Sequence, residues 1–121
     1  MDPDRIVRDF SAAWGRADLD AIMDAFAEDA VYHNIPMEPC EGKGAIKGFI
    51  EGFFTTSPGG IDFNILNQAA AGRVVINERV DTFESEGKKT PIQVCGVFEL
   101  DEDGKIKAWR DYFDMGAFQG S

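Results

Sequence analysis

Residues 57–70 read Ser57-Pro58-Gly59-Gly60-Ile61-Asp62-Phe63-Asn64-Ile65-Leu66-Asn67-Gln68-Ala69-Ala70, and the character of the chain changes inside them. Before the Ser-Pro-Gly-Gly break, apolar residues recur at helical spacing; from Ile61 onward they alternate with a period of 2. Upstream, Asp2 and Pro3 make a helix start, with Asp at the cap and Pro at the first helical position. Ile6, Val7, Phe10, Ala13 and Trp14 then share one face, and Gly15 closes that helix. Asp18 caps a second helix carrying Leu19, Ile22, Met23 and Phe26. A short extended piece, Ala30 to Asn34, is stopped by Pro36 and Pro39. A third helix is expected over Ala45 to Phe54, with Ile46, Phe49, Ile50 and Phe53 inward. Downstream the expected strands are Ile61–Ala70, Arg73–Phe83, Pro91–Leu100 and Lys105–Phe113, joined by turns at Gly72, Gly87 and Gly104.

Helices first and strands after define an α+β class. The expected architecture is one domain over residues 1–121, with N-terminal helices packed on a strongly curved mixed β-sheet to form a cone-shaped pocket. A length of 121 residues suits one domain, and 44% hydrophobic content is enough for a core. The formal net charge of −10, with no basic run, argues against nucleic acid or an anionic membrane as partner. With no apolar run of membrane-span length and no signal sequence at MDPDRIVRDF, a cytoplasmic protein is expected. Cys40 and Cys95 have no CxxC spacing and are expected to be small buried hydrophobes.

Residues i and i+2 of a strand share a face. Three expected strands carry a polar pair at that spacing: Tyr32 with Asn34, Arg79 with Asp81, and Trp109 with Asp111. Phe83 follows Asp81 on its face and Phe113 follows Asp111, so the charges sit among aromatics, as in a small-molecule pocket. Arg79 and Asp81 taken alone fit a solvent-exposed ion pair equally well. Only the three pairs together draw them inward. Arg110 and Asp114 are expected in solvent or at an interface. The single histidine, His33, lies between Tyr32 and Asn34 and faces away, which disfavours a Ser-His-Asp or Cys-His device. Zinc would want more His and Cys ligands, and no glycine-rich phosphate loop is present. Carboxylate acid–base chemistry remains.

At these residues the chain resembles the limonene-1,2-epoxide hydrolase family, within the cystatin-like group that also holds nuclear transport factor 2, ketosteroid isomerases and SnoaL-type cyclases. The resemblance rests on Phe26-Ala27-Glu28-Asp29, Tyr32-His33-Asn34-Ile35-Pro36, Glu78-Arg79-Val80-Asp81, Gly96-Val97-Phe98 and Trp109-Arg110-Asp111-Tyr112-Phe113-Asp114. It implies that Tyr32, Asn34 and Asp111 hold an attacking water, with Asp111 as general base, Asp81 as general acid and Arg79 bridging the two. It further implies a homodimer that works without metal or organic cofactor. The expected substrate is a small apolar, cyclic epoxide, opened by water to a vicinal diol without a covalent intermediate. Trp14, Phe53, Phe83, Ile92, Val94, Trp109, Phe113 and Phe118 are the expected pocket wall. Trp14 stands where the family has a smaller residue, and the ends are shorter than is common there, so the substrate is left open.

The chemistry of the residues agrees with that implication. Opening an epoxide needs a proton for the leaving oxygen while water attacks carbon, so one carboxyl must be protonated and its partner ionised. Two carboxyls in one apolar pocket tend to share a proton. Two other readings stay open on sequence alone. One is an isomerase or cyclase, which would use Asp111 and Tyr32 but leave Asp81 and Arg79 without a task. The other is a non-catalytic binding module. The apolar residues Val74, Ile76 and Val80, on the sheet face opposite Arg79, suggest that a second copy covers it.

Overall fold

A computed structural model describes residues 1–116. The elements, in order, are α1 (Pro3–Gly15), α2 (Leu19–Asp24), β1 (Phe26–Asn34), β2 (Cys40–Glu41), α3 (Lys43–Thr56), β3 (Asp62–Ala71), β4 (Val74–Ser85), β5 (Lys88–Leu100) and β6 (Ile106–Tyr112). The expected α+β architecture is present: helices lie against one six-stranded mixed sheet in the order β2-β1-β6-β5-β4-β3. All neighbours are antiparallel except β1 and β6. The N-terminal half therefore adds β1, with the short β2 at its outer edge, to a sheet otherwise built by the C-terminal meander.

Local chemistry explains the element ends. Asp2 accepts a hydrogen bond from the Arg5 amide at 3.1 Å with Pro3 in the first turn, and Asp18 accepts from Ala21 at 3.1 Å. Each satisfies an amide that the first helical turn leaves without a partner. Phe26, expected on the second helix, instead opens β1, because α2 ends at Asp24. β1 is thus longer than the Ala30–Asn34 stretch expected, and its odd register is absorbed by a shift between Phe26 and Val31. The short β2 has no alternating pattern of its own and joins the sheet by pairing with β1.

Further register shifts occur between Ile65 and Asn67 and between Glu99 and Leu100. Such extra residues bend and twist a strand, and they curl this sheet around the helices. Gly60 makes the tightest junction. At φ +106° it lies so close to the end of α1 that a Cβ there would be 2.4 Å from the Gly15 carbonyl oxygen. The next amide, Ile61, donates to the Trp14 carbonyl at 2.9 Å, which ties the end of α1 to the start of β3.

The concave face and the helices bury Val7, Phe10, Trp14, Ile22, Phe26, Ile46, Ile50, Phe98 and Trp109 among others. Burying side chains of this size is worth roughly 1.5–3 kcal/mol each, so this layer is the main source of stability. The convex face is different. Leu66, Ile76 and Tyr112 are exposed on it, as alternation from the buried Arg79 and Asp111 requires. Cys95 shares that outer face and is exposed, and Cys40 on the β2 edge is only half-buried, so neither is the buried hydrophobe expected. Cys95 lies between inward Val94 and Gly96, and the two-residue period sends it outward.

Candidate active site

One row of register runs straight across five strands. Gln68 on β3 pairs with Asn77 on β4, Asn77 with Gly96 on β5, Gly96 with Asp111 on β6, and Asp111 with Asn34 on β1. The adjacent row brings Tyr32 beside Trp109 and Trp109 beside Phe98. Those three rings stack in series, Tyr32 on Trp109 at 4.1 Å and Phe98 on Trp109 at 5.1 Å. An apolar ladder thus supports a polar one.

Arg79 is the hub, with its side chain fully buried. Its Nε and Nη2 donate to both oxygens of Asp81 at 2.9 and 2.8 Å. Nη2 also donates to Asp111 Oδ2 at 2.8 Å, and Nη1 to Asp111 Oδ1 at 3.3 Å. The remaining Nη1 hydrogen goes to Asn77 Oδ1 at 3.0 Å. All five guanidinium N–H groups are therefore used. The plane of the group lies over Phe63, 4.5 Å from the ring centre. Asp111 receives a further bond from Trp109 Nε1 at 2.7 Å. The Tyr32 hydroxyl donates to Asn34 Oδ1 at 3.4 Å, a long contact between neighbouring inward positions of β1.

Burial, opposed by Arg79 and reinforced by the Asp111 charge, pushes Asp81 up to about 6 from an ordinary 3.8. Burial would lower the Arg79 pKa, but the Asp111 charge and the Asp81 hydrogen bonds outweigh it, so the guanidinium stays charged. Burial and the Asp111 charge hold Tyr32 well above the usual phenol range, so its hydroxyl keeps its proton. The site thus holds a permanent cation, a carboxyl that takes a proton near pH 6, and a neutral phenol.

Above the cluster lies a cavity of about 250 Å³. Its polar wall is Tyr32, Asn34, Asp81 and Asp111. The apolar wall includes the expected Trp14, Phe53, Phe83, Ile92, Val94 and Phe113. Trp109 is a correction: it is fully buried behind the cluster, where it stacks under Tyr32 and bonds Asp111, and it does not line the cavity. Phe118 lies outside the described residues. Met37, Phe63 and Met115 also line the cavity and were not expected there. Phe63 shares the inward face of β3, and the alternation from Ile61 could have shown it.

Two residues that shape the site escaped the sequence reading. Asn77 is buried beside Arg79. It stands at i−2 of Arg79, so the spacing that singled out Asp81 also pointed to it. Gly96 carries no signal in the sequence beyond its place in Gly96-Val97-Phe98, yet a Cβ there would lie 2.5 Å from Arg79 Nη1 and 2.8 Å from Asp111 Oδ1. Of the outward residues, Arg110 pairs with Glu99 at 2.6 Å, half-exposed, and Asp114 is exposed. His33 faces away from the cluster and contacts the Met37 carbonyl oxygen through Nε2 at 2.9 Å.

The site is thus a helix-lined cavity on a curved mixed sheet, with two aspartates gripped by one arginine. The limonene-1,2-epoxide hydrolase catalytic domain matches residues 1–119, and the chain belongs to that family. Epoxide hydrolase EphG of Mycobacterium tuberculosis is 32% identical over 109 residues, which cover 90% of this chain and 71% of EphG. A solved M. tuberculosis epoxide hydrolase of the same type superposes with a TM-score of 0.84 at 32% identity, over 96% of this chain and 86% of the other. A SnoaL-like chain of Shewanella denitrificans reaches a TM-score of 0.87 at 14% identity, over 97% and 93% of the two chains, a likeness of fold alone. These relatives support epoxide hydrolysis as the general chemistry. No helix among the described residues is long and apolar enough to cross a membrane.

Proposed function

We propose that this protein adds water directly to a small apolar, cyclic epoxide and releases a vicinal diol. The observation that carries this reading is the sharing of Arg79 between Asp81 and Asp111 at the floor of an apolar cavity. Asp111, fixed by Arg79 and Trp109, takes a proton from a water that Tyr32 and Asn34 orient. The water oxygen bonds to an epoxide carbon as the carbon–oxygen bond breaks, and Asp81 gives its proton to the leaving oxygen. Each transfer contributes roughly 10²–10⁴-fold. Arg79 keeps the pair electrically balanced throughout, because one carboxyl gains a proton as the other loses one. Solvent exchange then resets the two.

A cavity of about 250 Å³ lies at the small end of ligand sites, which favours a compact substrate. On this reading the reaction needs no metal or organic cofactor. The enzyme works in the cytoplasm as a homodimer, with a second copy covering the convex face around Leu66, Ile76 and Tyr112; light scattering across a dilution series tests the dimer.

The decisive experiment incubates purified protein with a panel of cyclic epoxides in EDTA and analyses the diols on a chiral column. Single turnover in ¹⁸O-water is expected to label the diol and leave the protein unlabelled. Label recovered in Asp81 or Asp111 would replace direct hydration by a covalent ester. No diol from any epoxide would end the proposal.

A further inference from the structure

The hydrogen bonds of the Arg79 cluster continue beyond it. Asn77 Nδ2 donates to Gln68 Oε1 at 3.0 Å across the β3–β4 pair. Gln68 Nε2 donates in turn to Asp4 Oδ1 at 2.8 Å and to the Asp4 carbonyl oxygen at 3.1 Å, in the first turn of α1. The other oxygen of Asp4 is engaged by Arg8 at 3.1 Å. An unbroken line of side-chain bonds therefore runs from the helix surface to the buried guanidinium.

Direction is what makes this line informative. An amide side chain can turn either end toward a neighbour, and nothing in Asn77 itself decides which. An ionised carboxylate cannot donate, so Asp4 demands the NH₂ end of Gln68. The Gln68 oxygen must then face Asn77, which turns the Asn77 NH₂ outward and its oxygen toward Arg79. With either amide reversed, two N–H groups would confront each other and a donor would be left unmade. Arg79, which can only donate, demands the same Asn77 oxygen from the buried end, so the two charged ends agree on one arrangement of both amides.

We propose that Asp4, Gln68 and Asn77 form a positioning chain that holds the fifth N–H of Arg79 and so sets the guanidinium between Asp81 and Asp111. None of the three touches substrate. The inference rests on the reading of the cluster as the epoxide-opening machinery. Asp81 and Asp111 grip the guanidinium from the cavity side, and Asn77 closes the remaining side. Without it Arg79 keeps its charge and loses its register with the two carboxyls.

The test compares the wild type with Gln68→Leu, Asn77→Leu and the double variant Asp4→Asn with Gln68→Glu. In the double variant the outer bond is reversed. The new amide at position 4 donates to the new carboxylate at position 68, which still offers Asn77 an acceptor and gives up only the bond to the backbone carbonyl of residue 4. Gln68→Leu and Asn77→Leu are expected to lower kcat roughly 10–100-fold, as a small misplacement of a catalytic group does. KM should stay within about twofold, the pattern of an interaction felt in the transition state. The double variant should recover most of the kcat lost in Gln68→Leu. In ¹⁵N-edited NMR spectra, slowly exchanging Arg79 side-chain protons should persist in the wild type and the double variant and vanish in Gln68→Leu.

Wild-type kcat together with protected Arg79 protons in Gln68→Leu would overturn the proposal. So would a double variant as impaired as Gln68→Leu, which would mark a mere tie between helix and sheet. If the wild type opens no epoxide, the functional reading falls on its own, and the Arg79 spectra still decide the positioning chain. If Asn77→Leu does not fold, the comparison of Gln68→Leu with the double variant is sufficient.

Discussion

Arg79 on β4 reaches Asp111 on β6 across the whole width of β5, and the position it crosses is Gly96. Neighbouring strands lie roughly 4.8 Å apart, so a side chain spanning two intervals needs an empty place in the middle. Any Cβ at residue 96 would enter the space of Arg79 Nη1, Asp111 Oδ1 and Asn77 Oδ1 together. The glycine is required by the absence of a side chain; its φ is not among the positive ones.

Gly96→Ala is therefore expected to remove nearly all turnover and to destabilise the fold by roughly 1–3 kcal/mol through overpacking. Chemical denaturation and diol assays on the same preparation check both. A variant with wild-type kcat would mean that the Arg79–Asp111 contact is dispensable.

Asp81→Asn and Asp111→Asn should each reduce kcat by at least roughly 10²–10⁴-fold, the contribution of a single proton transfer. Circular dichroism should show both variants folded, since the amide keeps the carboxyl's shape. Substantial activity in either would refute the paired-carboxyl mechanism.

Asp81 also makes a prediction about pH. Its folded-state value of about 6 stands above the ordinary 3.8, because burial disfavours the charge. Between those values the native state binds more protons than the unfolded one, so stability falls as pH rises. The contribution is fully present below about pH 4, is lost through pH 6, and stays lost above. Measured against Asp81→Asn, wild-type stability should drop on the order of 2 kcal/mol between about pH 4 and 7. In the proposed mechanism the same group is the acid, so kcat/KM should decline on the alkaline side. A stability difference that grows with pH would show instead that Asp81 is held ionised.

Trp14 is the largest side chain on the cavity wall, and its Nε1 is the one buried side-chain polar atom without a hydrogen-bond partner among the described residues. Trp14→Leu opens the cavity and removes that N–H. Bulkier epoxides should gain in kcat/KM relative to compact ones, measured as a ratio in mixed-substrate assays. The lost stacking on Phe63, at 4.7 Å, should lower the melting temperature by several degrees. An unchanged ratio would show that Trp14 does not limit substrate size.

Much of the fold was legible because periodicity is a local property. The switch at Ile61, the caps at Asp2 and Asp18, and the alternation through residues 74–83 each depend on neighbours a few positions away. The two-residue rule put Tyr32 with Asn34, Arg79 with Asp81 and Trp109 with Asp111 on shared faces. Only the three pairs taken together with Phe83 and Phe113 pointed those faces inward, where the polar residues lie buried. Periodicity failed where strand pairing overrides it, at Phe26, whose helical spacing gave way to β1, and at the two-residue β2, whose existence depends on a partner strand.

What the sequence alone determined, then, is which residues share a face. Which faces meet, and at what height, was decided only by the assembled sheet. The parallel docking of β1 on β6 sets Asn34 beside Asp111, and the β3-to-β6 register lines up Gln68, Asn77, Gly96 and Asp111. Trp109 shows the difference most clearly. Its spacing placed it on the inner face, but the helices and rings packed over that face leave it behind the cavity, where it serves Asp111. Alternation acts within one strand, whereas register and depth arise from hydrogen bonds and packing between segments far apart in the chain.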